Sequence, residues 1–160
     1  KPSNTALQRD YARRGLAGYN GVYTPQSVLA GQLGEVGSRE GTIRDYAKRA
    51  ATRNRAAIRV KSAGSDYAIG VSGKTTRPTE LILVGVASTA DVAIGRGENG
   101  GRTGTYTNVL IGEQRIAEWS GGTQSHALRT SQMQMAGADR YALVLREPDG
   151  GPVLAARWVR

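Results

Sequence analysis

The chain has 160 residues, 39% of them hydrophobic, with 22 Lys and Arg against 13 Asp and Glu and a formal net charge of +9. It holds no cysteine, which excludes disulfides, thiol nucleophiles, thiolate zinc sites and iron–sulfur ligation within it. A single histidine, His126, excludes a multi-histidine metal site, and no apolar run approaches the roughly 18 residues of a membrane span.

Residues 4–16 set Leu7, Tyr11 and Leu16 at near-helical spacing, with Ala6 and Ala12 beside them. That spacing predicts a helix with Ser3 or Asn4 as N-cap and Gly15 or Gly18 as its stop. Val22, Tyr23, Val28 and Leu29 read as short strand pieces around Pro25. Ser38 then caps a second predicted helix, which places Ile43, Tyr46, Ala47 and Ala50 on one face. Its last turns are basic, as the helix dipole favours.

Near residue 54 the hydrophobic period changes to two. Strands are expected over residues 56–63, 65–73, 79–89, 106–119, 125–135, 140–147 and 153–160, the fourth bent or bulged at Gly112. Pro148-Asp149-Gly150-Gly151 is a strong turn between the last two. The fold class that follows is α+β. A partial α/β piece, residues 1–53, precedes an antiparallel β-sandwich of about seven strands, residues 54–160. Two helices and one or two short strands cannot close a core alone. The first piece therefore needs partner strands from elsewhere, such as an upstream segment. The chain starts Lys1-Pro2-Ser3-Asn4 with no signal-peptide pattern, which fits either a processed protein or a piece of a longer one.

The positive charge is dispersed. Residues 1–53 carry 9 basic and 4 acidic side chains, residues 54–160 carry 13 and 9, and no Lys/Arg run exceeds two. A nucleic-acid surface would concentrate them or interleave them with aromatics, so nucleic acid is not the expected partner.

Two motifs imitate chemistry. Residues 68–75 match a loose phosphate-binding loop ending in Gly73-Lys74-Thr75, but an apolar β-branched run follows where a helix is required. Residues 95–100 match G-x-G-x-x-G, yet the following GRTGTYTNV has no helix propensity. Both read as turns between strands. His126 reads as a surface or packing residue of a strand.

Two segments remain. Glu98, Asn99, Arg102, Tyr106 and Asn108 form the densest polar cluster. A Glu98–Arg102 pair is expected, with Asn99, Tyr106 and Asn108 pinning a glycine-rich loop by hydrogen bonds. Strand alternation puts Tyr106 and Asn108 on one face. The cluster is either a structural network or a polar ligand or partner site, and the structural role is the expected one. The second segment is Tyr23-Thr24-Pro25, which reads as an edge-strand proline and also resembles the Thr-Pro loop that faces the substrate in thioredoxin-type folds.

QRDYARRGLAGYNGVYTPQSVLAGQLGEVGS and VAIGRGENGGRTGTYTNVLIG together resemble the secreted, thioredoxin-like bacterial proteins of domain-of-unknown-function family 1223 (DUF1223), over nearly the whole chain. The resemblance implies an export signal, a strand–helix unit with Cys-x-x-Cys, then a helix and a Thr-Pro strand, and last a sandwich. It implies a cis Thr24–Pro25 bond and a periplasmic or secreted location. The cysteine pair is missing from this sequence. The expected function is therefore a structural or partner-binding module, with no catalytic residue, cofactor or metal assigned. The expected partner is another protein or an N-terminal segment of the same one. The alternative is the C-terminal portion of a thiol–disulfide oxidoreductase or redox carrier whose Cys-x-x-Cys lies upstream.

Overall fold

The computed structural model describes residues 2–16, 25–51, 56–95 and 100–159. Helix α1 is Pro2–Arg13. It starts earlier than the expected caps, with proline at its first position, where the missing N–H costs nothing. Of the two candidate stops, Gly15 ends it. Gly15 has φ +73°, its N–H reaches the Ala12 carbonyl, and the Leu16 N–H reaches Tyr11. These are the two bonds of a Schellman cap.

Strands β1 (Gln26–Leu29) and β2 (Leu33–Val36) form an antiparallel hairpin that makes a sheet of its own. Ala30 and Gly31, both at positive φ, turn the chain between them. Sequence patterning missed β2, because Gly34 interrupts its apolar alternation. Gly34 is needed there: a Cβ would lie 1.7 Å from the Leu16 carbonyl oxygen. Helix α2 is Glu40–Ala51. Its first backbone bond runs from Ile43 N–H to the Arg39 carbonyl, so the cap is Arg39 rather than the expected Ser38.

Seven strands follow: β3 (Ala56–Ala63), β4 (Asp66–Gly73), β5 (Thr79–Ala93), β6 (Thr103–Trp119), β7 (Gln124–Leu128), β8 (Arg140–Arg146) and β9 (Val153–Trp158). They form two antiparallel sheets, β3-β4-β7 and β6-β5-β8-β9. One core lies between the sheets. Ile58, Ile69, Val71 and Leu128 come from the first, and Leu81, Leu83, Tyr141, Leu143 and Leu145 from the second. Each such side chain stabilises the fold by roughly 1.5–3 kcal/mol through burial. Trp119 is fully buried at the end of β6, and the buried Thr79 hydroxyl donates to its carbonyl at 2.8 Å.

Several boundaries differ from expectation. The strand expected over 125–135 ends at Leu128, and residues 130–133 form a short 3-10 turn. Thr130 causes this. Its N–H binds Asp66 Oδ1 at 2.9 Å and its hydroxyl donates to the Ser65 carbonyl, tying the chain to the β3–β4 turn. The bulges of β6 fall at Ile111 and Ile116, not at Gly112. Gly112 instead pairs with Gly85, and the two leave room for a methionine: a Cβ on Gly85 would lie 2.6 Å from Met135 Sδ. The segment after Gly73-Lys74-Thr75 is strand, as the sequence indicates. Thr75 accepts the Arg77 N–H at 3.2 Å in a local turn.

β5 and β6 are longer than expected. β8 pairs only with residues 80–86 of β5, so residues 87–93 and 103–109 continue as a two-stranded ribbon beyond the sheet. The ribbon closes on Ile94 N–H to Arg102 carbonyl and Gly101 N–H to Ile94 carbonyl bonds, each 2.8 Å.

The N-terminal elements dock at the β8–β9 turn. Val153 N–H donates to the Ala30 carbonyl at 2.9 Å. Gly31 lies so close to Gly151 that a Cβ would sit 2.2 Å from its carbonyl oxygen, and Gly150 lies under Tyr11 and Leu7 of α1. Among the described residues, no hydrophobic side chain before Ala56 is buried. On α2, Ile43, Tyr46 and Ala50 are half-covered and Ala47 is exposed.

Candidate functional site

Core packing divides β5 by parity. Leu81 and Leu83 face the core, so Ile82, Val84, Val86, Ser88, Ala90 and Val92 face the other way. Register carries this outer face across the sheet. Leu110 of β6 lies opposite Val86, Tyr106 opposite Ala90, and Gly104 opposite Val92. Arg140 of β8 lies on the other side of Val86, and Trp158 of β9 lies beside Ala142.

The sequence-predicted residues distribute as follows. Tyr23, Thr24, Glu98 and Asn99 lie outside the described residues, and with them the expected Thr24–Pro25 geometry and the Glu98–Arg102 pair. Pro25 is exposed just before β1, and its carbonyl accepts the Gly37 N–H at 2.8 Å. Arg102 is exposed and closes the ribbon through its backbone. The Tyr106 ring lies close to Gly104, where a Cβ would meet its Cε2 at 3.2 Å. Asn108 has φ +51°, a left-handed conformation that asparagine tolerates. Its Oδ1 accepts from Arg140 Nη1 at 3.2 Å. Among the described residues Asn108 is therefore joined to Arg140, and the side chains of Arg102 and Tyr106 take no hydrogen bond.

Four residues that sequence reasoning passed over complete this surface. Arg140 stacks its guanidinium 4.1 Å from the Trp158 ring centroid, a cation–π contact. Asp139, next in sequence, accepts the Ser88 N–H at 2.8 Å and the Ser88 hydroxyl at 2.6 Å. The Ser88 hydroxyl, and then its N–H, hold the Asp139 carboxyl below its ordinary range even though the residue is exposed.

Towards the β8–β9 turn the same face is covered: Ile82 is buried and Val84 and Val144 are half-covered, beside a charged pair. Arg146 grips Glu113 with two bonds, Nη1 to Oε1 at 3.0 Å and Nη2 to Oε2 at 2.7 Å. Arg146 Nε is buried without a partner among the described residues. Tyr11 of α1 lies near this pair. Burial pushes its phenol above the ordinary 10.0, Arg146 opposes the shift, and Glu113 adds to it.

A groove of about 470 Å³ opens elsewhere, between the edges of β3 and β9, lined by Ala56, Ile58, Gly73, Ala155 and Arg157 among others. Arg157 is its one titratable side chain, so the groove has no acid–base pair. Among the described residues no three His, Asp or Glu side chains gather to hold a metal, and no helix is long and apolar enough to cross a membrane.

Residues 1–146 match the family described as protein of unknown function DUF1223. The chain belongs to the DUF1223 family. No curated protein matches it. A crystal structure of an Agrobacterium tumefaciens protein, a structural genomics target, has the same fold: the TM-score is 0.75 at 22% identity, over 99% of this chain and 70% of that one. The fold of this DUF1223 chain is thus shared, and the chemistry has to be read from its own surface.

Proposed function

We propose that this DUF1223 chain is a partner-binding module whose N-terminal part is completed by polypeptide from outside the 160 residues. One observation carries this reading. Residues 2–51 form two helices and a hairpin, yet among those described they bury no hydrophobic side chain. Val28, Leu29, Leu33 and Val36 are only half-covered, and among the described residues β1-β2 is a two-stranded sheet with no further strand on either edge. An isolated hairpin of this size is marginal in water, and open strand edges are templates for a further strand. The order of helix, proline-led hairpin and helix supports a thioredoxin-like half. With the resemblance of the sequence, it also supports an extracytoplasmic location. A polypeptide added there as a strand would gain main-chain hydrogen bonds from β1 or β2 and side-chain contacts from α2.

The test is a charge placed on the half-covered hairpin. In the isolated chain, Val28→Asp should cost no more than about 1 kcal/mol, well short of the loss at a buried core position. In the protein isolated from its own cells, the same change should strip the completing polypeptide and lower the melting temperature. A large loss of stability in the isolated chain would refute the reading, because it would show that the hairpin already has its core.

A further inference from the structure

We infer that the outer face of the β6-β5-β8-β9 sheet is a second docking surface, separate from the hairpin, for a polypeptide segment that is apolar and carries a carboxylate. The large hydrophobic side chains left exposed among the described residues are Val92 (46%), Tyr106 (50%), Leu110 (41%) and Trp158 (43%). They come from three strands, and parity and register place all four on this one face. Single exposed apolar residues need no explanation, but four on one face, set among Ser88, Asn108 and Arg140, do.

The strip is long enough for a peptide. From Val86 to Val92 is about 20 Å along β5 at roughly 3.4 Å per residue, and Trp158 lies two strands away, about 10 Å at 4.8 Å per strand. That footprint suits some six extended residues. The ribbon's two faces differ in kind. Ser88, Ala90, Val92, Gly104, Tyr106 and Asn108 form the outer one, while Thr89, Asp91, Thr103, Thr105 and Thr107 crowd the inner one beside Ala87, Ala93 and Val109, and Thr105 donates to Asp91 at 2.6 Å there. The inner face suits water and the outer face suits an apolar occupant.

Charge selects that occupant. Arg140 is the cation set into the strip, between Trp158 and Asn108. It has no ion pair among the described residues. The neighbouring Asp139 is engaged at both oxygens by Ser88, and its charge attracts Arg140 more weakly than Ser88 holds it, without forming an ion pair. Arg140 spends one of its five N–H donors on Asn108, and the tryptophan face and the amide fix its plane. A guanidinium so held is preorganised for a bidentate carboxylate. The net charge of +9 favours approach of an acidic segment and disfavours a basic one. Tyr, Trp and Arg, all present on this face, are also the side chains that dominate binding at protein interfaces.

The test is a panel of fluorescein-labelled twelve-residue peptides that share Leu, Val and Phe positions and differ in carrying two Glu, two Gln or two Lys. Binding is read by anisotropy and by quenching of the exposed Trp158, with Trp119 buried and silent. The Glu peptide should bind at least tenfold more tightly than the Lys peptide. Arg140→Gln should erase that preference, and Trp158→Ala should weaken all three. The exposed Arg102→Gln and Arg157→Gln should leave the preference intact. Equal binding of the Glu and Lys peptides, or none at millimolar concentration, would overturn the inference. So would a concentration-dependent dimer that Tyr106→Ser dissolves, since the face would then be covered by a second copy. It would also fall if a further segment of the native protein shields Trp158 from quenching. None of these results bears on the hairpin, whose test is Val28→Asp.

Discussion

The contact that holds α1 to the sheet makes a sharp test, because it depends on one missing methyl group. Gly150 has φ +67°, and a Cβ there would lie 2.9 Å from Tyr11 Cε1 and 3.2 Å from Leu7 Cδ1. Gly150→Ala adds that carbon and forces alanine into a left-handed conformation. The backbone term costs about 1–2 kcal/mol, and crowding adds about 1–3 kcal/mol unless the ring moves. Release of α1 limits the second term, because α1 contributes nothing to the sandwich core. Amide exchange across Leu7–Arg13 should therefore accelerate while Leu81, Leu83 and Leu143 stay protected. The phenol reports the same event. Burial raises the Tyr11 pKa above 10.0, so docking is constant below the ordinary tyrosine range and weakens as pH rises through the raised value. In Gly150→Ala the Tyr11 titration, followed by ultraviolet absorbance against a Tyr11→Phe control, should fall back towards 10.0. Gly150→Asn, which tolerates the left-handed backbone, should release α1 with less strain in the turn. Unchanged α1 exchange together with an unchanged Tyr11 titration in both variants would refute this account of docking.

Leu143→Ala, at a fully buried position in the core, should cost about 2–5 kcal/mol, which denaturant unfolding will measure. Thr79→Val keeps the shape but loses the hydroxyl bond to Trp119, and should cost about 1 kcal/mol by the same method. The Asp139 carboxyl is held below its ordinary 3.8, first by the Ser88 hydroxyl. The Ser88–Asp139 link should thus persist above the ordinary carboxylate range and be lost as pH falls through the lowered value. In Ser88→Ala the titration of Asp139, read by carboxyl carbon NMR, should move up towards 3.8.

Local patterning revealed the strands and hid their neighbours. Ile58 and Val60 alternate with Arg59 and Lys61, and β3 forms with those bounds. The run TELILVGV lies at the centre of its sheet, between β6 and β8. Alternation is a property of adjacent residues, so one sequence suffices to see it. The outer face is different in kind. Arg140 meets Trp158 because Ala142 pairs with Trp158, and meets Asn108 because β5 lies between β8 and β6. The register of β6 depends on bulges at Ile111 and Ile116, and nothing local distinguishes either residue from its neighbours. Gly112 was visible as an irregularity, but its role depends on Met135, 23 positions away, and so did not show in the pattern. Of the polar cluster, Tyr106 and Asn108 were recognised from composition. The tryptophan and arginine that make their face a surface were read only as strand residues.

Amide exchange over residues 26–36 and 40–51 tests the central claim most directly, measured on the isolated chain and on the protein taken from its own cells. The isolated chain should exchange the β1-β2 and α2 amides close to the unprotected rate while β5 and β8 stay protected. In the native protein, protection there should rise by on the order of 100-fold or more, because completing the sheet converts local opening into a cooperative event. Hairpin amides as well protected as β5 in the isolated chain would contradict the claim, since the N-terminal part would then need no polypeptide beyond these 160 residues.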